Sequence, residues 1–251
     1  MHTRIPEQES HLTAALGAAW NVRYYDEVES TMLTAKLEEL AAPGLVLAER
    51  QRAGKGRLGR TWSDPGGAFL ATYTFSTAAP LSTLVGLPLV VGLAVQRALA
   101  FHGGVSFLKW PNDVLDEGGK KIAGVLVDVS HASGKSTVQI GIGVNLQSKP
   151  AGAQSLLDLA GVAVTPIEFA QTLSEPLRER WESFSQSGFG PFKGEWERRA
   201  CWLGSQVSVA LSGGEEKGTF VGLSPQGALI LQQGNAKKEI LAGDVTALRV
   251  G

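Results

Sequence analysis

Apolar and polar positions along this chain fall into two textures, and the change between them comes near residue 200. Before it, apolar stretches of helical length interleave with short β-type runs. Leu12 to Trp20 reads as a short helix, and Val22 to Tyr25 alternates as a strand. Ser30 stands as an N-cap before a helical pattern carried by Met32, Leu33, Ala35, Leu37 and Leu40, which Pro43-Gly44 stops. Leu45 to Ala48 is a buried-strand pattern leading straight into a loop of glycines and cations. Ala68 to Phe75 alternates bulky and small residues as a strand, a long apolar helix spans about Leu81 to Phe101, and Val105–Lys109 is a short strand. Lys120–Val129 and Val138–Val144 read as paired strands joined by a polar turn at Ser133-Gly134-Lys135. Thr165-Pro166-Ile167-Glu168 is a capping box with proline at the first helical position, opening a helix to about Phe184. A second helix runs roughly from Pro191 to Ala200.

From Trp202 onward short β-type segments alternate with turn signals at Ser212-Gly213-Gly214, Ser224-Pro225-Gln226-Gly227, Gln233-Gly234-Asn235 and Ala242-Gly243-Asp244. That spacing predicts a small SH3-like barrel of five strands. The whole is expected to be an α+β protein: a mixed β-sheet flanked by helices over 1–200, then the barrel over 201–251.

Composition narrows the function more than the fold. A chain with 43% hydrophobic and 19% charged residues is an ordinary globular protein. A formal net charge of −1 argues against a general nucleic-acid or membrane-surface binder, because the overall field attracts neither. One cysteine, Cys201, excludes an intrachain disulfide framework. The histidines (His2, His11, His102 and His131) are scattered without metal-ligand spacing. The N-terminal residues have no apolar signal-peptide core, and the longest apolar run, Leu84 to Val95, is interrupted by Gly86, Pro88 and Gly92. It falls short of the roughly 20 residues of a membrane span and predicts a buried helix in a cytoplasmic protein.

Against that neutral background one loop stands out. Arg50 to Arg60 carries five cations in eleven residues, with Gly54, Gly56 and Gly59 among them. Glycines let a backbone approach a ligand closely, and cations suit a highly charged anion. Gly54-x-Gly56-x-x-Gly59 matches a dinucleotide fingerprint in letters only, because Thr61 to Gly67 cannot propagate the helix that the fingerprint requires. Gly134-Lys135-Ser136 is no phosphate loop either, since Val129 stands where a glycine is needed. An RNA contact or a merely solvated loop stays open at this level.

Downstream, Lys109-Trp110-Pro111-Asn112-Asp113 gathers a lysine, an amide and a carboxylate at a strand tip, suited to a phosphate, a nucleoside, and a metal or oriented water. Lys121 opens an apolar strand as a point cation, and Gly124 implies close approach to the sheet. Gly141 and Gly143 free one face of a strand that ends at Asn145. Ser30-Thr31 offers two hydroxyls and free N–H groups at a helix start.

Taken in order, Ser30-Thr31, Glu49 with Gln51, Gly54-Lys-Gly-Arg-x-Gly-Arg60 with Trp62, Lys109 to Asp113, Lys121-x-Ala-Gly124 and Gly143-x-Asn145 resemble the biotin protein ligases. The resemblance covers most of the span from Tyr24 to Asn145. It implies a catalytic domain related to class II aminoacyl-tRNA synthetases and lipoate ligases, followed by an SH3-like domain. It implies that biotin and MgATP give biotinyl-5′-AMP and pyrophosphate, and that a lysine of a carboxylase's biotin carrier domain then takes the biotin.

By the same resemblance, Lys121 and Arg57 are the catalytic cations. Ser30, Thr31, Gln51, Gly54, Lys55, Gly56, Arg57, Lys121 and Gly124 are expected around biotin. Arg57, Arg60, Trp62, Lys109, Asn112, Asp113, Lys121 and Asn145 are expected around the nucleotide, with Asp113 a candidate magnesium ligand. Lys55 stands where the family usually has arginine, and Met32 where an asparagine commonly follows Ser-Thr. Some twenty residues before the first strand are too few for the winged helix of ligases that double as repressors, so a monofunctional ligase with no nucleic-acid partner is expected, and a homodimer is left open. The alternatives are a lipoate or octanoate ligase on the same scaffold, or a non-catalytic RNA- or nucleotide-binding module.

Overall fold

The computed structural model describes residues 3–132 and 134–248; His2, and Ser133 of the expected polar turn, lie outside them. Seven strands form the main sheet: β1 (Asn21–Val28), β2 (Gly44–Gln51), β3 (Phe69–Thr77), β4 (Phe107–Lys109), β5 (Asp113–Leu115), β6 (Lys121–Ala132) and β7 (Lys135–Val144). Their order is β1-β2-β3-β7-β6-β5-β4, with β1 and β2 parallel and every other neighbour antiparallel. The mixed sheet is as the sequence predicts.

Strand alternation decides which face holds the core. Leu45 and Leu47 of β2, Tyr73 and Phe75 of β3, Val125 of β6, and Ile140 and Ile142 of β7 all enter the main buried cluster. The helices over that cluster are α1 (Pro6–Leu16), α3 (Leu87–Phe101) and α5 (Pro166–Ser187), which bring Leu12, Val91, Val95, Phe169 and Leu173 to it. Val46 and Ala48 point the other way, into a smaller cluster with Ala35 of the short helix α2 (Thr31–Leu37). Farther along that second face the sheet carries Thr72, Gly141, Gly143 and Gly124, side chains too small to make a core. The face stays open for a ligand because its residues are small.

Several boundaries differ from expectation. α1 starts earlier because Pro6 sets its first turn, and it stops at Gly17, whose φ of 86° is left-handed. The expected Leu81–Phe101 helix is broken: Leu81–Leu84 is a 3₁₀ turn, and α3 starts beyond Gly86 with Pro88 in its first turn. By length and composition Leu81–Phe101 could cross a membrane, but two-thirds of the apolar window is buried inside the protein (67%), where α3 serves as the central core helix. α2 ends at Leu37, short of Leu40. The last helix is only α6 (Lys193–Glu197), preceded by a 3₁₀ turn at Gly190–Phe192. Strand β5 and helix α4 (Leu156–Ala160) are additions. Both are too short for periodicity to reveal, the first three residues long and the second five. The capping box at Thr165 forms as expected.

Five antiparallel strands make the second sheet: β8 (Gln206–Leu211), β9 (Gly214–Leu223), β10 (Leu229–Gln233), β11 (Ala236–Ile240) and β12 (Asp244–Ala247), in the order β11-β10-β9-β8-β12. This SH3-like unit is packed against the first rather than tethered to it. Trp110 Nε1 donates to the carbonyl of Gly227 at 3.0 Å, and Glu197 Oε1 accepts from the Leu223 amide at 2.8 Å.

Candidate active site

The open face of the sheet forms the floor of a cleft enclosing about 480 Å³, solvent at its mouth included. Register explains the floor. Gly141 of β7 lies between Thr72 of β3 and Leu126 of β6, and Gly143 lies opposite Gly124. A methyl group on any of the three glycines would collide with what covers it. On Gly141 it would come within 2.8 Å of Met32 Sδ; on Gly143, within 2.6 Å of Trp62 Cε2; on Gly124, within 2.9 Å of Lys121 Nζ. The sequence reads these glycines as sites of close approach. What approaches in the structure is the protein's own Met32, Trp62 and Lys121.

One end of the cleft is a hydroxyl and amide cluster. The Thr31 amide donates to Gln51 Oε1 at 2.8 Å, the Thr31 hydroxyl is 3.2 Å from the same oxygen, and buried Thr72 Oγ1 donates to Thr31 Oγ1 at 2.9 Å. Gln51 is thereby held by its oxygen, which leaves its amide nitrogen to face a ligand. Ser30 occupies the N-cap position of α2 but its side chain makes no cap bond. Its hydroxyl has no protein partner among the described residues and lines the cleft. Thr72 was not foreseen, because a threonine inside a β-run carries no separate signal.

The basic loop walls the other end. Its two sides are stitched by the Trp62 amide donating to Gly54 O at 2.9 Å and the Gly56 amide donating to Arg60 O at 2.7 Å. Gly54 sits beneath the Trp62 backbone, where a Cβ would have only 3.0 Å to the Trp62 carbonyl oxygen. Between the stitches Arg57 to Arg60 makes one tight turn in which Leu58 and Gly59 are left-handed (φ 55° and 73°), so no helix points its N-terminus at a ligand here. Lys55, Gly56 and Arg57 reach the cleft. Burial lowers the Arg57 guanidinium from its ordinary value, opposed by the charges of Asp113 and Asp244.

Lys121 and Trp62 stand together in the middle, the ammonium 5.5 Å from the ring centroid. Lys121 Nζ is 2.6 Å from Asp113 Oδ1. Lys121 and Trp62 also wall a neighbouring hollow of about 420 Å³, which Asn145 lines from the other side. Asn145 is itself braced, donating to the carbonyls of Lys121 at 3.3 Å and Gln154 at 3.0 Å. The site is therefore two adjoining hollows sharing one lysine and one indole.

Other expected ligand residues are already occupied. Asn112 donates to Val125 O at 2.8 Å and accepts from Arg57 Nη1 at 3.2 Å, bracing the loop. Lys109 and Arg60 turn to the C-terminal unit, both ion-paired with Asp244, at 2.8 and 2.9 Å. Asp113 does not fit a metal, because one carboxylate oxygen faces Lys121 and the other lies 3.8 Å from Lys109. Among the described residues no cluster of three or more His, Cys, Asp or Glu comes together.

Residues 24–146 match the biotin/lipoate A/B protein ligase family, and residues 202–246 match the biotin protein ligase C terminal domain. A biotin–[acetyl-CoA-carboxylase] ligase of Paracoccus denitrificans is 37% identical over 223 residues, covering 81% of this chain and 92% of that protein. One of Mycobacterium tuberculosis is 33% identical over 255 residues, covering 93% and 92%. The biotin protein ligase of Aquifex aeolicus, solved in complex with biotin and ATP, superposes with a TM-score of 0.79 at 32% identity, over 91% of this chain and 99% of that one.

Proposed function

Since this chain belongs to the biotin/lipoate A/B protein ligase family, we propose how its two hollows divide the work of a biotin–protein ligase. The reaction is AMP-forming. Biotin and ATP give biotinyl-5′-AMP and pyrophosphate, and a lysine of a carboxylase's biotin carrier domain then attacks the mixed anhydride to form an amide. Biotin takes the glycine-floored cleft, its ureido group toward Ser30, Thr31 and Gln51. The nucleotide takes the hollow beyond Trp62, its base side toward Asn145. Lys121, the one cation lining both, lies where the biotin carboxylate meets the α-phosphate. This shared wall is the observation that carries the assignment.

The chemistry suits that placement. A carboxylate attacking a phosphate brings two anions together, and fixed cations stabilise the charge that builds on the phosphorane. Lys121 is held beforehand by Asp113, so little reorganisation remains when substrates arrive. Arg57, partly buried and braced by Asn112, supplies a second positive charge from the loop. Magnesium enters on the phosphates of ATP, and no step here is assigned to a protein-held ion. No protein nucleophile is needed, because the carrier lysine supplies it. Two domains, 1–200 and 201–251, and a cytoplasmic location complete the proposal.

The test is ATP–pyrophosphate exchange with biotin and lipoate side by side. Exchange with biotin alone supports the reading, and equal exchange with lipoate overturns it in favour of a lipoyl substrate. Tight, steeply salt-dependent RNA binding without any exchange would instead favour a nucleic-acid module.

A further inference from the structure

The turn Ala242-Gly243-Asp244 belongs to the C-terminal sheet, yet cations of the catalytic half converge on it. Asp244 Oδ2 accepts from Arg60 Nη2 at 2.9 Å, and Asp244 Oδ1 accepts from Lys109 Nζ at 2.8 Å. The carbonyl of Gly243 accepts from Arg57 Nη1 at 3.3 Å. Arg57 and Arg60 flank the tip of the basic loop, while Lys109 ends β4 on the opposite rim. One carboxylate therefore ties the loop to the sheet it covers.

Apart from the Arg57–Asn112 hydrogen bond at 3.2 Å, the loop tip has no other such tie among the described residues. From Arg50 to Arg60 it contains no acidic residue. Arg50 and Arg52 pair with Glu27 at its base. Among the described residues, Asp244 is the one carboxylate in ion-pair contact with the tip. From Asp244 the charges continue in alternating sign toward the reacting centre, with Lys109 3.8 Å from Asp113 and Asp113 2.6 Å from Lys121. Removing the carboxylate would leave Arg60 without a carboxylate and Lys109 with only its longer contact to Asp113, at 3.8 Å. Although burial alone would raise its pKa, Asp244 is held below the ordinary carboxylate value by the hydrogen bond and charge of Lys109 and by Arg60.

Resting on the ligase reading, we propose that Asp244 is a positioning residue for the reaction: from the C-terminal unit it holds the basic loop closed over the acyl-adenylate. Retention of the activated intermediate then depends on a residue about 180 positions away in sequence from the loop, as the separation of Arg60 and Asp244 (184 residues) shows. The C-terminal unit becomes a latch on the active site.

The experiment uses the full chain and the variants Asp244→Asn, Asp244→Glu, Arg60→Gln and the Asn/Gln double. Two quantities are read without carrier protein: biotin-dependent ATP–pyrophosphate exchange, and biotin released onto lysines of serum albumin as a bystander. Asp244→Asn should raise bystander labelling about 3- to 10-fold, the scale of one or two partly exposed charge-assisted contacts. KM for ATP should rise with it, while KM for biotin stays within about twofold because the ureido end is untouched. Asp244→Glu, keeping the charge, should retain most of the intermediate. The double variant should leak no more than the worse single one, as expected if both act through one contact.

Unchanged retention in Asp244→Asn, or equal leakage in Asp244→Glu, would overturn the proposal. Should Asp244→Asn fail to fold, Arg60→Gln reads the same contact from a side chain that is 62% exposed. If the parent protein showed no biotin-dependent exchange, the ligase reading would fall and this proposal with it. Normal exchange with unaltered leakage would remove this proposal alone.

Discussion

Gly143→Ala isolates the seat of Trp62. The backbone at Gly143 is not left-handed, so alanine meets no conformational strain there and the substitution probes space alone. Its Cβ would lie 2.6, 2.7 and 2.9 Å from Cε2, Cζ2 and Cδ2 of Trp62. Carbon atoms sit at roughly 3.5–4.0 Å when unstrained, so the indole or the strand must retreat by about 1 Å. The strand cannot yield readily, being paired on both sides with β3 and β6. The backbone that carries the indole is restrained as well, because the Trp62 amide is bonded to Gly54 O at 2.9 Å. Overpacking of this kind costs about 1–3 kcal/mol. That predicts a Tm lower by roughly 2–12 °C for a protein of this size.

A displaced indole also changes the wall shared by both hollows, so biotin-dependent exchange should fall by about tenfold, the equivalent of ~1.4 kcal/mol. Gly213→Ala is the control, since nothing lies within 4 Å of its Cβ and its backbone is likewise not left-handed. Combining Gly143→Ala with Trp62→Leu should restore the Tm but not the exchange. If Gly143→Ala left both calorimetric Tm and exchange at the parent's values, Trp62 would not rest on this glycine in solution.

Other substitutions probe the remaining parts. Lys121→Ala should slow adenylation by about 10²-fold, as removal of one fixed transition-state donor does, while biotin Kd moves far less; equal loss in both would demote Lys121 to a binding residue. Arg57→Gly should release activated biotin onto unrelated lysines, and unaltered retention would count against the loop as a lid. Burial lowers the pKa of His102, with Glu168 opposing, and its Nε2 lies 3.0 Å from Thr172 Oγ1. The folded state therefore prefers the neutral ring, and stability present above the unfolded value near 6.5 is lost as pH falls from there toward the lower folded value. His102→Gln should flatten that part of a Tm-versus-pH curve, and an unchanged slope would refute the assignment. Burial pushes the Cys201 thiol up to about 11, so iodoacetamide at pH 8 should modify it slowly in the native protein and quickly in guanidinium. Equal rates in the two states would mean the thiol is open.

What the sequence made legible follows from where each signal is stored. Strand alternation is local, so the faces of the sheet could be read from β3 and β7 before any pairing was known. Gly141 and Gly143 could also be read, and with them the open face. The identity of what fills that face could not. Met32 and Trp62 lie far from Gly141 and Gly143 in sequence, and only the register of β3, β7 and β6 brings them together. The same limit explains the shortest elements. β5 is three residues long, and it exists because Asp113 to Leu115 pairs with β4 on one side and β6 on the other, which the pattern of three residues does not announce.

The cations show the limit most clearly. A sequence can say that Arg57, Arg60 and Lys109 need anions, and resemblance assigns all three to the nucleotide. It does not say that Asp244, read only as part of a turn signal, supplies one of those anions from another sheet. A positive loop in a chain of net charge −1 must find its counter-charge somewhere, and here it finds it on the second sheet. The pairing also answers why a small C-terminal sheet should be packed so firmly on a catalytic unit whose two hollows it does not line. Like charges gathered for a phosphate repel one another, and a buried or half-buried carboxylate beside them lowers the cost of keeping them assembled. On the proposed latch, holding Arg60 and Lys109 in place lets the loop stay cationic enough for an adenylate without springing open.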